Sequence, residues 1–357
     1  MKKRITFAVI GGGWRAEFFF RIAQALPERF GITALFTKTE TTRSRLAKDW
    51  QIPAVSSIEA LLKTKPDFVV VSVPRAICGD LILELAHHGI PVLAETPPAD
   101  QIEDMVRLWQ KLPKGARVQV AEQYPFQPLH MARLALATSG KLGTVTQAQI
   151  SAAHNYHGVV LLRRFLGIRF EPARIEAYEF VSPITQGRGR EPGTEQDKTH
   201  PSRQVIARLQ FGDKLGVYDF TGDQYFSWVR SQRMLIRGEK GEINNLEASY
   251  LADYKTPIYL HFERKDAGQH GNLEGHHHQG YLAGGEWLYR NPFIPARLAD
   301  DEIAVAACLD AMGHYVETGK DFYSLAEACQ DHYLGLLIED AAKSGKAIQT
   351  TDQVWHS

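Results

Sequence analysis

The 357-residue chain is short of cysteine, of net charge and of long apolar runs, and each shortage excludes something. Its three cysteines, Cys78, Cys308 and Cys329, are far apart, odd in number and outside any CxxC spacing. That argues against a disulfide framework and against a structural zinc site, and makes a reducing cytoplasm the expected compartment. Lys and Arg total 41, and so do Asp and Glu. No basic excess therefore points to DNA, RNA or an anionic membrane, and a small neutral or mixed ligand is the expected partner. No window reaches the roughly 18 apolar residues of a spanning helix. The basic start, "MKKRITFAVIGGG", breaks in glycines instead of a small-residue cleavage site, so it reads as a first strand and not as a signal peptide.

What the chain does contain, up to about residue 121, is alternation. The runs "ITFAVI", "ITALF", "DFVVVSV", "IPVLAE" and "RVQVAE" are separated by helical patterns such as "RAEFFFRIAQAL" and "QIEDMVRLWQKL". Strands apolar throughout and alternating with helices imply a doubly wound parallel sheet covered on both faces. After Tyr124 a helix is followed by longer alternating runs, "RQVIARLQF" and "KLGVYDF", joined through "GD" as in an antiparallel hairpin. The expected fold is α/β, with residues 1–122 as a nucleotide domain and 123–357 as an α+β domain. Two helices close the chain, the second opening on Ser324 and Glu327 in capping-box spacing and stopping at Gly345. Residues 264 to 300, Gly-rich with aromatics, read as a long loop or arm.

"VIGGGWRAEF" sets Gly11, Gly13 and Ala16 as G-x-G-x-x-A between a strand and a helix, with Trp14 and Arg15 inside the turn. The first glycine allows the tight turn, the second lets backbone approach a pyrophosphate, and the small third residue lets helix pack on strand. The second strand should end on an acid for the ribose diol of NAD, yet Thr37 and Lys38 stand there, with Arg43 close by. NAD and NADP both remain open, and Glu40 is an alternative partner for the diol.

Five stretches, "GGGWRA", "VVVSVPRAI", "GIPVLAETPPA", "VAEQYPFQP" and "GKLGTV", together with "FYSLAEACQDHYLGLLIEDAAKSGKAI", give the chain a resemblance to the Gfo/Idh/MocA oxidoreductases. The resemblance implies a Rossmann domain followed by an α+β substrate domain with a large, mostly antiparallel sheet. It also implies nicotinamide-dependent oxidation or reduction of a sugar, sugar derivative or cyclitol, and a homo-oligomer, dimer or tetramer. Cofactor contacts are then expected at Val73, Pro74, Glu95 and Gln123. The lysine that the family keeps in E-K-P is replaced by Thr96, and His157 falls on the family histidine, with Ala153 and Val160 at the acid positions.

Oxidising a carbinol needs a base for the hydroxyl proton, and His157 is the leading one, since an imidazole titrates near neutral pH. His154, Tyr124 and Tyr156 are possible helpers, and Thr96 can hold a hydroxyl but is a poor base. Arg163 reads as a helix-face residue able to meet an anionic substrate. The run His276 to His278, with His270 nearby, lacks the ligand spacing of a metal site, because adjacent histidines on a regular element cannot share one ion. It and "GEWLYRNPF", with Trp287, Tyr289 and Arg290, read as an interface or substrate loop. Two other functions stay open: a redox-neutral glycosidase or lyase on the same scaffold, and a non-catalytic nucleotide-binding regulator.

Overall fold

The computed structural model describes residues 3–356 except 190–192, 194–196, 269 and 271–274. The first five strands are β1 (Ile5–Ile10), β2 (Phe30–Phe36), β3 (Phe68–Val71), β4 (Val92–Ala94) and β5 (Val118–Val120). They form one sheet in the order β2-β1-β3-β4-β5, every pair parallel. All residues of β3, β4 and β5 are buried, which is why β3 and β4 read as unbroken apolar runs, while β5 also buries Gln119. The connecting helices are α1 (Ala16–Ala25), α2 (Glu40–Trp50), α3 (Ile58–Leu62), α4 (Arg75–His87) and α5 (Ile102–Lys111). Strand order reverses at β1, so the crevice between the ends of β1 and β3 is the switch point where such sheets bind ligands.

A 3₁₀ turn, Tyr124–Phe126, and α6 (Pro128–Thr138) lead into β6 (Val145–Ser151) and α7 (Asn155–Leu166). The strands β7 (Arg174–Thr185), β8 (Thr199–Phe211), β9 (Lys214–Thr221), β10 (Arg233–Gly238), β11 (Gly241–Asn244), β12 (Glu247–Asp253) and β13 (Thr256–His261) follow. Next come β14 (Glu263–Ala267), β15 (His277–Ala283), β16 (Glu286–Arg290), α8 (Asp300–Thr318), α9 (Leu325–Ser344) and β17 (Ile348–Gln349). The large sheet runs β13-β12-β11-β10-β6-β9-β8-β7-β17, antiparallel except between β6 and β9. The expected β8–β9 hairpin turns at Gly212, in the left-handed region at φ 59°. Helices α7 and α9 pack on each other and on one face of this sheet.

The stretch read as a loop after residue 264 is largely a three-stranded meander, β14-β15-β16. Its signal was present: Gly284 and Gly285 both have positive φ and join β15 to β16 as a two-residue hairpin loop. Part of the expected arm, residues 269 and 271–274, lies outside the described residues. The end of the chain folds back onto the first sheet. Helix α8 packs on α1 with Arg21 paired to Glu302 at 2.6 Å, while the Gln119 side chain accepts from the backbone N–H groups of Phe322 and Tyr323. Ser324 caps α9 through Glu327, and Gly345 ends it in the left-handed region, as the sequence indicates. Among the described residues no helix is long and apolar enough to cross a membrane.

Candidate functional site

A cavity of about 1630 Å³ opens along the C-terminal edge of the parallel sheet. One half is lined by Gly11, Gly13, Trp14 and Arg15 after β1, Thr37 and Lys38 after β2, and Val73 and Pro74 after β3. Backbone bonds from Gly11 to Phe36 and from Ser72 to Ile10 tie the three strand ends together. Gly11 sits at φ 128°, and a Cβ there would lie 1.9 Å from the Ser72 carbonyl oxygen. At Gly13 a Cβ would meet nothing within 4 Å, so open space begins at the second glycine, where backbone must approach a pyrophosphate. Ala16 lies behind the turn as the first, fully buried residue of α1. The turn fits a dinucleotide.

Beyond this half, Arg15 holds the floor of the cleft. It donates to Glu95 at 2.9 Å and to Gln123 at 2.7 Å, joining the ends of β4 and β5 to the glycine turn. Burial raises the Glu95 carboxyl above its usual range, opposed by the neighbouring Arg15 guanidinium. The Glu95 side chain therefore serves the frame around the cofactor edge rather than standing free as a base.

The other half is a cluster of histidines and phenols. α7 enters through Asn155 at φ 45°, whose N–H donates to the Tyr218 hydroxyl at 2.9 Å. Gly158 lets the helix lie close: a Cβ there would sit 2.7 Å from the Tyr218 ring and 2.8 Å from the Ala153 carbonyl oxygen. This seating brings His154, Tyr156 and His157 into the cleft lining together with Thr96 and Tyr124. His157 Nδ1 lies 2.6 Å from Glu122 Oε2, both side chains buried. His154 Nδ1 meets the Tyr225 hydroxyl at 2.7 Å, and Tyr124 donates to the same hydroxyl at 3.2 Å. Rings of Tyr124 and Tyr156 flank His157 with centroids at 4.5 and 4.4 Å. Burial raises the Tyr124, Tyr156 and Tyr225 phenols, so they stay protonated donors. The Thr96 side chain partly opposes the rise at Tyr156.

Of the expected cofactor residues, Arg43 does not line the cavity among the described residues. It donates to the Thr37 carbonyl at 2.8 Å and pairs with Glu40, buttressing the end of β2 from outside. Arg163 is not on an open helix face: it is buried and paired with Asp331 of α9 at 2.8 Å, so it is withdrawn from any substrate. His278 turns inward to Asp266 at 2.8 Å, and Tyr289 is buried beside it. Neither that histidine nor the Trp287–Arg290 contact is among the cleft's lining. Sequence reasoning missed Glu122 and Tyr225. Glu122 stands one residue before the expected contact Gln123, two residues past the end of β5. Tyr225 gave no local signal, because a 3₁₀ turn after β9 brings it 71 positions along the chain to His154.

Residues 5–122 match the family model GFO_IDH_MocA, oxidoreductase family, NAD-binding Rossmann fold. Among curated proteins nothing matches. Solved structures similar to the whole chain include a levoglucosan dehydrogenase in complex with NADH and L-sorbose, 14% identical, with a TM-score of 0.69 over 98% of this chain and 100% of that one. A myo-inositol dehydrogenase from Corynebacterium glutamicum ATCC 13032 is 18% identical, with a TM-score of 0.65 over 98% and 100%. The WlbA dehydrogenase from Bordetella pertussis, in complex with NADH and UDP-GlcNAcA, is 15% identical, with a TM-score of 0.64 over 98% and 100%. At these identities the likeness is one of fold. With the glycine turn and the switch-point cleft in hand, the match over residues 5–122 shows an NAD-binding Rossmann fold similar to that of the Gfo/Idh/MocA oxidoreductases.

Proposed function

We propose that the protein oxidises or reduces a CH–OH group of a sugar, sugar derivative or cyclitol with NAD or NADP, and that His157 takes or returns the hydroxyl proton. The observation that carries this is that one cleft joins the glycine turn to a histidine and phenol cluster around Thr96. Residues 1–122, as a nucleotide domain, would supply the first part and Thr96, and 123–357, as a substrate domain, the histidines and phenols. A nicotinamide bound along this edge would supply the hydride acceptor. The chain's own part is to bind and to move a proton: Thr96, Tyr156 and Tyr225 offer hydroxyls to a polyol, and His157 offers a ring nitrogen. Relatives solved with NADH and a sugar support that substrate class. The test is absorbance at the reduced-nicotinamide band across a panel of sugars and cyclitols with each nucleotide. Net reduction on any member supports the reading. Bond cleavage without net reduced cofactor would mark a redox-neutral enzyme instead, and binding with no change in any sugar would leave only a regulator.

Lys38 at the cleft beside Thr37, and Glu40 drawn onto Arg43, favour a 2′-phosphate at the ribose. Lys38→Ala is expected to lower kcat/KM for NADP by roughly 10- to 100-fold, from loss of a charge-assisted hydrogen bond, and to change NAD little. Equal losses with both nucleotides would remove Lys38 from cofactor choice.

The uncovered face of the large sheet supports a homo-oligomer. Register places Tyr178 and Phe180 of β7 and Tyr259 of β13 on the side away from α7 and α9, with exposures of 60, 55 and 78%. Apolar area of this kind marks association surfaces. Light scattering should give a dimer or tetramer, and Phe180→Glu should shift it toward monomer. A wild-type monomer at all concentrations would end the idea.

A further inference from the structure

Glu122 is a carboxylate with no exposure at all, and the basic side chain it pairs with among the described residues is His157. Both oxygens are committed: Oε1 accepts the Tyr124 N–H at 3.0 Å, and Oε2 lies 2.6 Å from His157 Nδ1. Its backbone is held as well, the N–H donating to Val120 at 2.9 Å and the carbonyl accepting from Cys308 Sγ at 3.7 Å. The carboxylate therefore cannot swing away from the imidazole. A buried anion is costly unless hydrogen-bonded, so the short contact carries a proton between Oε2 and Nδ1. With that proton on Nδ1, Nε2 keeps its lone pair. None of the described residues hydrogen-bonds Nε2, and the ring lines the cleft.

We propose that Glu122 is the positioning residue of this lysine-free site: it fixes His157 as the Nδ1–H tautomer with Nε2 toward the substrate and stabilises the imidazolium formed on proton uptake. The proposal rests on the reading of His157 as the proton acceptor. In the oxidative direction the substrate O–H bond breaks and an Nε2–H bond forms, while the C–H electron pair leaves with hydrogen to the nicotinamide acceptor. The Glu122–His157 pair then passes from a net charge of −1 to neutral, so uptake of the proton relieves a buried negative charge instead of creating a buried positive one. The pair does the charge handling that the missing lysine and acid positions leave undone. Around it stand Tyr124 of the 3₁₀ turn, His154 and Tyr156 at the start of α7, Tyr225, Glu95 after β4 and Cys308 of α8. Burial keeps the phenols and the Cys308 thiol protonated, and the other charged or ionisable groups lining this part of the cleft include Glu95, Arg15, Asp301 and His154.

The test uses the full-length protein with ¹⁵N-labelled histidine, read by NMR without cofactor, alongside kinetics of wild type, Glu122→Gln, Glu122→Asp and His157→Ala. Wild type should show the Nδ1–H tautomer. Glu122→Gln should deplete the Nδ1–H tautomer, change the pH profile of the rate and cut kcat by roughly 100-fold with little change in KM, while Glu122→Asp recovers part of the loss. A wild-type proton on Nε2 overturns the proposal even if Glu122→Gln fails to fold. So does a folded Glu122→Gln protein with the wild-type tautomer, pH profile and kcat. Full activity in His157→Ala is a separate failure, of the underlying reading.

Discussion

His157→Ala is expected to lower kcat/KM by about 100- to 10,000-fold, the span a general acid or base contributes, while nucleotide affinity stays close to wild type. The other groups facing the substrate end are poorer bases. The Tyr124, Tyr156 and Tyr225 phenols are held protonated by burial. Thr96 is an alcohol with no described base behind it. Glu95 is committed to Arg15, and Glu122 is sealed behind the imidazole. Asp301, also in the lining, accepts from Gln127 at 2.7 Å; of the two histidines, His154 has Nδ1 on Tyr225 and lies at the mouth of the helix, exposed, while His157 is buried against a carboxylate. His154→Ala should therefore cost less than His157→Ala. Steady-state rates with the sugar identified in the panel, together with nucleotide titration by Trp fluorescence, decide it. A His157→Ala enzyme with near wild-type kcat, or a larger loss on His154→Ala, would move the proton elsewhere.

The sequence made the nucleotide half readable because its signals are local. A buried parallel strand is apolar along its length, a glycine turn has fixed offsets, and a helix stop such as Gly345 announces itself within a few residues. The resemblance then singled out His157, which lines the cleft. What stayed hidden depends on distant pairing. Glu122 and His157 are 35 positions apart and meet because α7 is seated by Tyr218 on β9, a contact that requires the large sheet to exist first. Tyr225 is further away still. Arg163 looked available because its partner, Asp331, lies on a helix more than 150 residues later. The meander after residue 264 was misread for a different reason: its strands are short and interrupted by glycines, so composition outweighed the Gly284-Gly285 hairpin signal.

The two outer glycines of the turn are expected to fail in different ways when replaced, and the contrast tests the cofactor site without any knowledge of the sugar. Gly11 sits at φ 128°, where L side chains are strained, and an added Cβ would overlap the Ser72 backbone carbonyl at 1.9 Å. Backbone cannot move aside as a flexible side chain could, because Ser72 and Gly11 are both tied into the ends of β3, β1 and β2. Gly11→Ala should therefore cost on the order of 3 kcal/mol or more in stability and pull β1 from β3, closing the switch-point crevice with it. Gly13→Ala has no such conflict, since its Cβ would enter open space. Its thermal unfolding in the absence of nucleotide should match wild type, while its affinity for NAD and NADP falls at least about 10-fold, because the space it fills is the one the pyrophosphate needs. Melting curves with and without nucleotide separate the two: Gly11→Ala is low in both, and Gly13→Ala loses only the rise that ligand gives. A Gly13→Ala protein that binds and is stabilised like wild type would show that the phosphates do not lie over this turn.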